Sequence, residues 1–274
     1  MFANLDKFQS IDVDGDWNVV KDRIGFQKSR RISIIWRVAA IAILVLGVGF
    51  LAKQYIFTSP ATIIAMTGED QKEVILPDGS QVFLNIHTEL TYPEKFSRNN
   101  RQVKLTGQGF FEVTKDPAKP FLVNAANRAN VEVLGTSFNI NAGAENESVR
   151  VQVVEGKVAF YANENEVVRE ILGKDDQAEM QNGVITKNAV RDKNFLSWKT
   201  GIIYFEQEGI VNVMDILGNH YNRELILDGT VDDGLTFTST IDNQELESVL
   251  EELSLILGIS YSFEDNKVLI HMKD

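Results

Sequence analysis

The sequence predicts a fold class of three parts: a single transmembrane helix, an all-β sandwich or roll, and a small α+β domain built on a repeated βαβ unit. An uncharged apolar run covers 38–52, short alternating runs between turn residues fill 58–161, and a helix-to-strand pattern occurs twice after residue 201. The predicted boundaries are 1–31 for an N-terminal tail, 32–52 for the span, 58–163 for the β domain, 164–200 for a connection and 201–274 for the last domain.

Charge is distributed unevenly along the 274 residues, whose formal net charge is −12. Residues 1–52 hold seven basic and five acidic side chains, so the acidic excess lies in the remainder. An acidic body repels a phosphate backbone, which argues against direct nucleic-acid binding. The absence of cysteine excludes disulfides and thiol chemistry.

The apolar run is the basis for the predicted span. Fifteen residues from Val38 to Ala52 carry no charge, and extension back to Ile32 gives twenty-one residues interrupted by Ser33 and Arg37. About twenty apolar residues cross a hydrocarbon core of about 30 Å, so the segment suffices if Arg37 snorkels to the headgroups. A buried core helix and a cleaved signal peptide are the alternatives. The first fits poorly with two glycines in the run and with the arginines on one side of it. The second would need a charged region of more than thirty residues before the run and a small-residue cleavage site after it.

The basic residues before the apolar run predict a location. Positive charges flank a span on its cytoplasmic side. The sequence therefore predicts a single-pass protein of a bacterial inner membrane, with a cytoplasmic N-terminus and periplasmic C-terminal domains.

The N-terminal tail contains one helical pattern. Val13, Trp17, Val20 and Ile24 are spaced four, three and four, which puts them on one helix face. About thirty residues are too few for an independent enzyme domain, but a short amphipathic helix folds well into a partner's groove, with Trp as an anchor. The alternative is a helix that lies on the membrane surface.

The two outer domains differ in periodicity. Residues 74–86 alternate on both sides of the turn Pro77-Asp78-Gly79-Ser80, a pattern typical of a β-hairpin, and similar runs follow. Further on, NVMDILGNHYNRELIL at 212–227 and SVLEELSLILGISYSF at 248–263 repeat one helix-to-strand unit. Two such units predict a small sheet with both helices on one face.

Reactive motifs are missing from the sequence. It contains no Gly-x-Ser-x-Gly, no His-Glu-x-x-His and no phosphate-binding loop. His87, His220 and His271 are far apart and have no metal-ligand spacing. We therefore predict no enzyme activity on a separate substrate, no cofactor and no metal site.

Several short motifs follow one another in order along the β domain. They include LPDGS at 76–80, Arg101 to Leu105, GQGFFEV at 107–113, VLGTSF at 133–138 and EGKV at 155–158. With these motifs the β domain resembles the FecR family of membrane-bound anti-sigma regulators. The last 75 residues or so resemble the C-terminal domain that accompanies this family in Bacteroidota-type chains, which is similar to the signalling domain of TonB-dependent receptors.

The resemblance implies a signal relay. A TonB-dependent outer-membrane receptor reports nutrient binding through its signalling domain, and the FecR-like chain then controls an extracytoplasmic-function sigma factor. Trp17, Val20 and Ile24 would form the sigma-factor contact. Many relatives carry a folded anti-sigma domain where this chain has about 31 residues, so a membrane-anchored periplasmic binding or scaffold protein without sigma control is the alternative.

The resemblance also singles out Gly135-Thr136. Some FecR-like proteins cut themselves at a Gly-Thr bond, and the family motif puts that bond here. The other interpretation is a β-bulge glycine followed by a good strand former, which glycine inside a strand favours.

Overall fold

The computed structural model describes residues 13–24, 30–56, 61–143, 148–163, 165–229, 234–264 and 267–271. The chain divides into two compact units, Met1–Ser59 and Pro60–Asp274. The described part of the first unit is helical, and the described strands all lie in the second.

Two helices form the described part of the first unit: α1 at Val13–Arg23 and α2 at Arg30–Ile56. Asp14 and Asp16 lie in the first turn of α1, and Lys21 and Arg23 lie in its last turn. This charge order is favourable for the helix dipole, which is positive at the N-terminus and negative at the C-terminus. The α1 helix therefore has local support that does not depend on packing.

The structure does not agree with the predicted transmembrane helix over 32–52. Helix α2 covers this segment, but no helix in the described part of the chain is long and apolar enough to cross a membrane. Arg37 and Lys53 bound the uncharged run of fifteen residues. At a rise of 1.5 Å per residue the run spans about 22 Å, less than the hydrocarbon core of about 30 Å. The prediction depends on extending the span across Arg37, and on that point it is wrong.

The second unit begins with a 13-stranded sheet. Its strands are β1 Thr62–Met66, β2 Lys72–Ile75, β3 Gln81–Leu84, β4 Glu89–Pro93, β5 Arg101–Glu112, β6 Phe121–Ala125, β7 Ala129–Val133, β8 Ser137–Ala142, β9 Val149–Glu155, β10 Val158–Ala162, β11 Asn165–Leu172, β12 Asp176–Gln181 and β13 Val184–Ala189.

The long strand β5 makes this sheet continuous. Its first half pairs with β4 and β6, and its second half pairs with β3 and β8. Between the halves, Gly107 has φ +109°, and a Cβ there would lie 2.5 Å from Thr88 Oγ1. Glycine tolerates both constraints. The predicted sandwich or roll is therefore corrected to one large, partly barrel-like sheet, because β5 pairs through both of its halves and joins the strands on either side.

The core of the sheet is aromatic and aliphatic. Phe111 and Phe138 stack with ring centroids 5.2 Å apart, and Phe121 meets Phe111 edge-on at 6.4 Å. All three rings are fully buried. Such pairs stabilise a fold beyond the area they bury.

Residues 165–189 form three strands where the sequence predicts a connection. Strand β11 pairs with β10, and β12 pairs with both β9 and β13. In the described part of this stretch the buried apolar side chains are Leu172, Ala178 and Met180. So sparse a pattern gives no clear period of two, and pairing with neighbouring strands determines the structure instead.

A buried ion pair fastens the β2–β3 turn to β5. Arg101 is 1% exposed, and its Nη1 donates to Asp78 Oδ2 at 2.8 Å and to the Thr114 carbonyl at 2.7 Å. Asp78 Oδ2 also accepts from the Ser80 hydroxyl at 2.7 Å, and that hydroxyl accepts from Thr114 N at 3.0 Å. The LPDGS turn is thus held by a network of charged and polar groups.

The C-terminal module contains β14 Ile202–Gly209, α4 Ile210–Tyr221, β15 Glu224–Asp228, β16 Thr236–Asp242, α5 Leu246–Leu257, β17 Ser260–Glu264 and β18 Lys267–His271, after the short helix α3 at Ser197–Thr200. The predicted small sheet is in fact two sheets, β14-β16 and β15-β18-β17. The first strands of the two repeats pair with each other, so the strands of one repeat belong to different sheets. Buried side chains of α4 and α5 join one hydrophobic cluster between them.

Candidate functional site

The predicted partner face on α1 is present as an exposed apolar surface. Trp17, Val20 and Ile24 are 57%, 44% and 56% exposed. Trp17 and Val20 lie on one side of α1. Ile24, the residue after α1, continues this side, because its N–H donates to the Val20 carbonyl at 3.0 Å. The side chain of Val13 lies outside the described residues. Val19, 55% exposed, is on the opposite side. The arrangement can insert an aromatic anchor and two aliphatic side chains into an apolar groove of another protein.

Gly135 allows two backbone segments to approach each other. Its φ is +148°, and a Cβ at this position would lie 2.6 Å from Lys115 Cα. A side chain therefore has neither a suitable backbone conformation nor space here. The pairing of β8 with β9 shifts register between Ser137 and Phe138, directly after the Gly-Thr pair. This irregularity has the character of a β-bulge.

Thr136 is 5% exposed, and its hydroxyl donates to the Lys157 carbonyl at 2.9 Å. Its own carbonyl accepts from Val113 N at 3.1 Å. The residue thus joins the start of β8 to the turn before β10. These contacts give the Gly-Thr pair a structural role that needs no cleavage, and gel electrophoresis of variants distinguishes this role from self-cleavage.

We expect the wild-type chain to run as a single full-length band on a denaturing gel, as does Thr136→Ala. Thr136→Ala is expected to lower the free energy of unfolding by about 1 kcal/mol, because it leaves the Lys157 carbonyl without its donor. Thr136→Ser is the control, since it keeps the hydroxyl. Two fragments from wild type and Thr136→Ser, with a single band from Thr136→Ala, would instead show that the bond is cut.

The short helix α3 docks on the β-sheet. Gln71 Nε2 donates to the Trp198 carbonyl at 2.7 Å. Lys199 Nζ lies 4.1 Å from the ring centroid of Phe83 and 4.8 Å from that of Phe110. A cation above two aromatic faces is attracted by both rings. These contacts attach the C-terminal module to the sheet within the second unit.

The three histidines occupy separate environments. His87 Nε2 lies 3.5 Å from Glu69, His271 Nδ1 lies 3.2 Å from Asp228, and His220 is partly buried beside Tyr221. Among the described residues no group of three potential metal-ligating side chains comes together.

Comparison with known proteins agrees with this architecture of a β-sheet domain joined to an α+β module. The profile of the FecR protein family matches residues 63–159, and that of the FecR C-terminal domain matches residues 202–270. Two crystal structures of a protein assigned as an anti-sigma factor, from Parabacteroides distasonis ATCC 8503, align with 78% of this chain and 100% of their own. Each has a TM-score of 0.59 and 32% sequence identity. No protein of curated function matches the chain.

The extent of these matches defines the class of protein. The two family profiles fall on the β-sheet domain and on the C-terminal module, and the crystallised relative is covered over its whole length. The chain belongs to the FecR family. The resemblance predicted from the sequence motifs is thereby confirmed.

Proposed function

We propose that this protein is an anti-sigma regulator that binds an extracytoplasmic-function sigma factor through the exposed face of α1. The observation that carries the proposal is the exposure of Trp17, Val20 and Ile24 on one side of α1 and the residue after it. Membership of the FecR family and the likeness to a protein assigned as an anti-sigma factor support it. Co-purification of a tagged chain with the sigma factor tests the proposal.

We further propose that a TonB-dependent receptor provides the signal through contact with the C-terminal module. That module exposes large apolar side chains: Leu255 is 87% exposed, Ile256 59% and Phe263 51%. Exposed apolar residues of this size mark interaction surfaces when they cluster. Its strands β15 and β17 are sheet edges, and such edges can accept a further strand from a partner.

Deletion of residues 2–28 distinguishes the anti-sigma regulator from the scaffold alternative. If the N-terminal tail acts only in targeting, removal of residues 2–28 leaves transcription under the sigma factor responsive to the receptor signal. If α1 is the regulatory contact, that removal uncouples transcription from the signal. The predicted periplasmic location of residues after 57 stays a prediction, and reporter fusions at the C-terminus test it.

A further inference from the structure

A polar cleft lies inside the second unit, where the C-terminal module meets the β-sheet. Amide side chains of β5, β8 and β9 form one wall, among them Gln108, Asn139 and Gln152. Trp198 of α3 and His220 of α4 form the other. The volume is about 290 Å³, close to the lower end of the range for small-molecule sites.

Buried polar atoms without a partner are concentrated in this cleft. In the part of the chain that the structure describes, four buried side-chain atoms make no hydrogen bond, and three of them belong to lining residues: Asn139 Oδ1, Trp198 Nε1 and His220 Nδ1. Asn139 is 1% exposed, and its Nδ2 donates to Gln152 Oε1 at 2.9 Å. A buried polar atom without a partner is destabilising, because it has lost water and gained no hydrogen bond in exchange. A ligand with hydrogen-bonding groups in the cleft could therefore supply the partners that these buried atoms lack.

The arginine that lines the cleft already has a partner of opposite charge. Arg150 Nη2 donates to Glu179 at 3.1 Å. Asp192 accepts from Asn194 N at 2.7 Å, and its other acceptor positions suit hydroxyl donors. Burial lowers the pKa of His220 below its ordinary value, so its imidazole is neutral at pH 7 and presents one donor and one acceptor. An anionic ligand would therefore find no unpaired cation in this lining.

We propose that the cleft binds a neutral polyhydroxylated molecule of monosaccharide size. A hydroxyl both donates and accepts, which suits a wall of amides together with an indole N–H and a neutral imidazole. Phe195 and Trp198 add aromatic surface for the C–H faces of such a molecule. A neighbouring cavity of about 470 Å³ shares Asn85, Asn219 and His220 with the cleft, which leaves room for a second ring. The proposal goes beyond sigma-factor control and does not depend on it.

The test uses the full chain with Trp17→Phe and Trp36→Phe, because Trp198 then becomes the single tryptophan. Glucose, galactose, mannose and maltose are titrated against its fluorescence, with glucuronate and glycine as charged comparators. At least one neutral sugar is expected to give a saturable change in emission.

His220→Phe, which keeps the ring beside Tyr221, is expected to weaken binding about tenfold, equivalent to about 1.4 kcal/mol. His271→Phe is the matched control outside the cleft and is expected to bind as the parent does.

Asn139→Leu tests the opposite wall and is expected to weaken binding in the same way, while circular dichroism reports whether each variant folds. Absence of a change in Trp198 emission with every neutral sugar overturns the proposal. If a folded His220→Phe or Asn139→Leu variant binds the sugar as tightly as the parent, the sugar binds outside the cleft, and the proposal is overturned. Binding of glucuronate or glycine alone overturns the ligand class. If one variant fails to fold, the other variant and the parent titration still decide.

Discussion

Trp17→Ala combined with Ile24→Ala is expected to reduce the affinity for the sigma factor by about 30-fold or more. Buried aromatic anchors at interfaces each contribute about 2 kcal/mol or more, and about 2 kcal/mol corresponds to about 30-fold. Both side chains are more than half exposed in the free chain, so their removal leaves no internal cavity. The measurement is co-purification of a tagged chain with the sigma factor, followed by titration of the purified pair.

Val19→Ala is the matched control for this double variant. It removes an aliphatic side chain of similar exposure from the same helix, but from the opposite side. We expect its affinity to stay within about twofold of wild type, a difference below 0.5 kcal/mol or so. Equal binding by wild type and the double variant would remove the α1 face from the sigma-factor contact.

Arg101→Ala is expected to lower the free energy of unfolding by about 3–5 kcal/mol. The substitution leaves Asp78 without its cation in a buried setting, and an uncompensated charge there is strongly destabilising. It also removes the donor to the Thr114 carbonyl. Asp78→Ala should cost a similar amount, and the double variant should cost less than the sum because the two residues act on one network. Chemical denaturation of the full chain measures all three.

Arg150→Ala is the control for the buried pair. Its partner Glu179 lies 3.1 Å away, but both side chains are about 40% exposed or more, and such surface pairs contribute about 1 kcal/mol or less. A loss for Arg101→Ala no larger than that for Arg150→Ala would contradict a structural role for the buried pair.

The sequence predicted correctly the features that depend on a single helix or a short motif. The spacing of Trp17, Val20 and Ile24 indicated a helix with a single apolar face, and the structure has a helix at Val13–Arg23 with all three exposed. The ordered motifs from LPDGS to EGKV identified the FecR family, because turn and strand-end residues keep their order along the chain. The prediction that α2 spans a membrane was wrong, since it counted residues on both sides of Arg37 as one apolar segment.

The pairing of β-strands that are far apart in the chain could not be predicted from the sequence. The sequence predicted a sandwich or roll because alternation reports which face of a strand is buried, not which strands are neighbours. Strand β5 belongs to both halves of the sheet through hydrogen bonds at separate edges. The described side chains of β11 to β13 include only three buried apolar residues, and hydrogen bonds to neighbouring strands define these three strands.

The family, the apolar face of α1 and the repeated helix-to-strand unit could be predicted from the amino-acid sequence, since each depends on residues that are close in the chain. Three features required the folded structure: the continuity of the sheet, the burial of Arg101 against Asp78, and the cleft lined by Asn139, Trp198 and His220. These residues come from separate strands and helices. Their proximity follows from packing and hydrogen bonding across the fold, which no local spacing encodes.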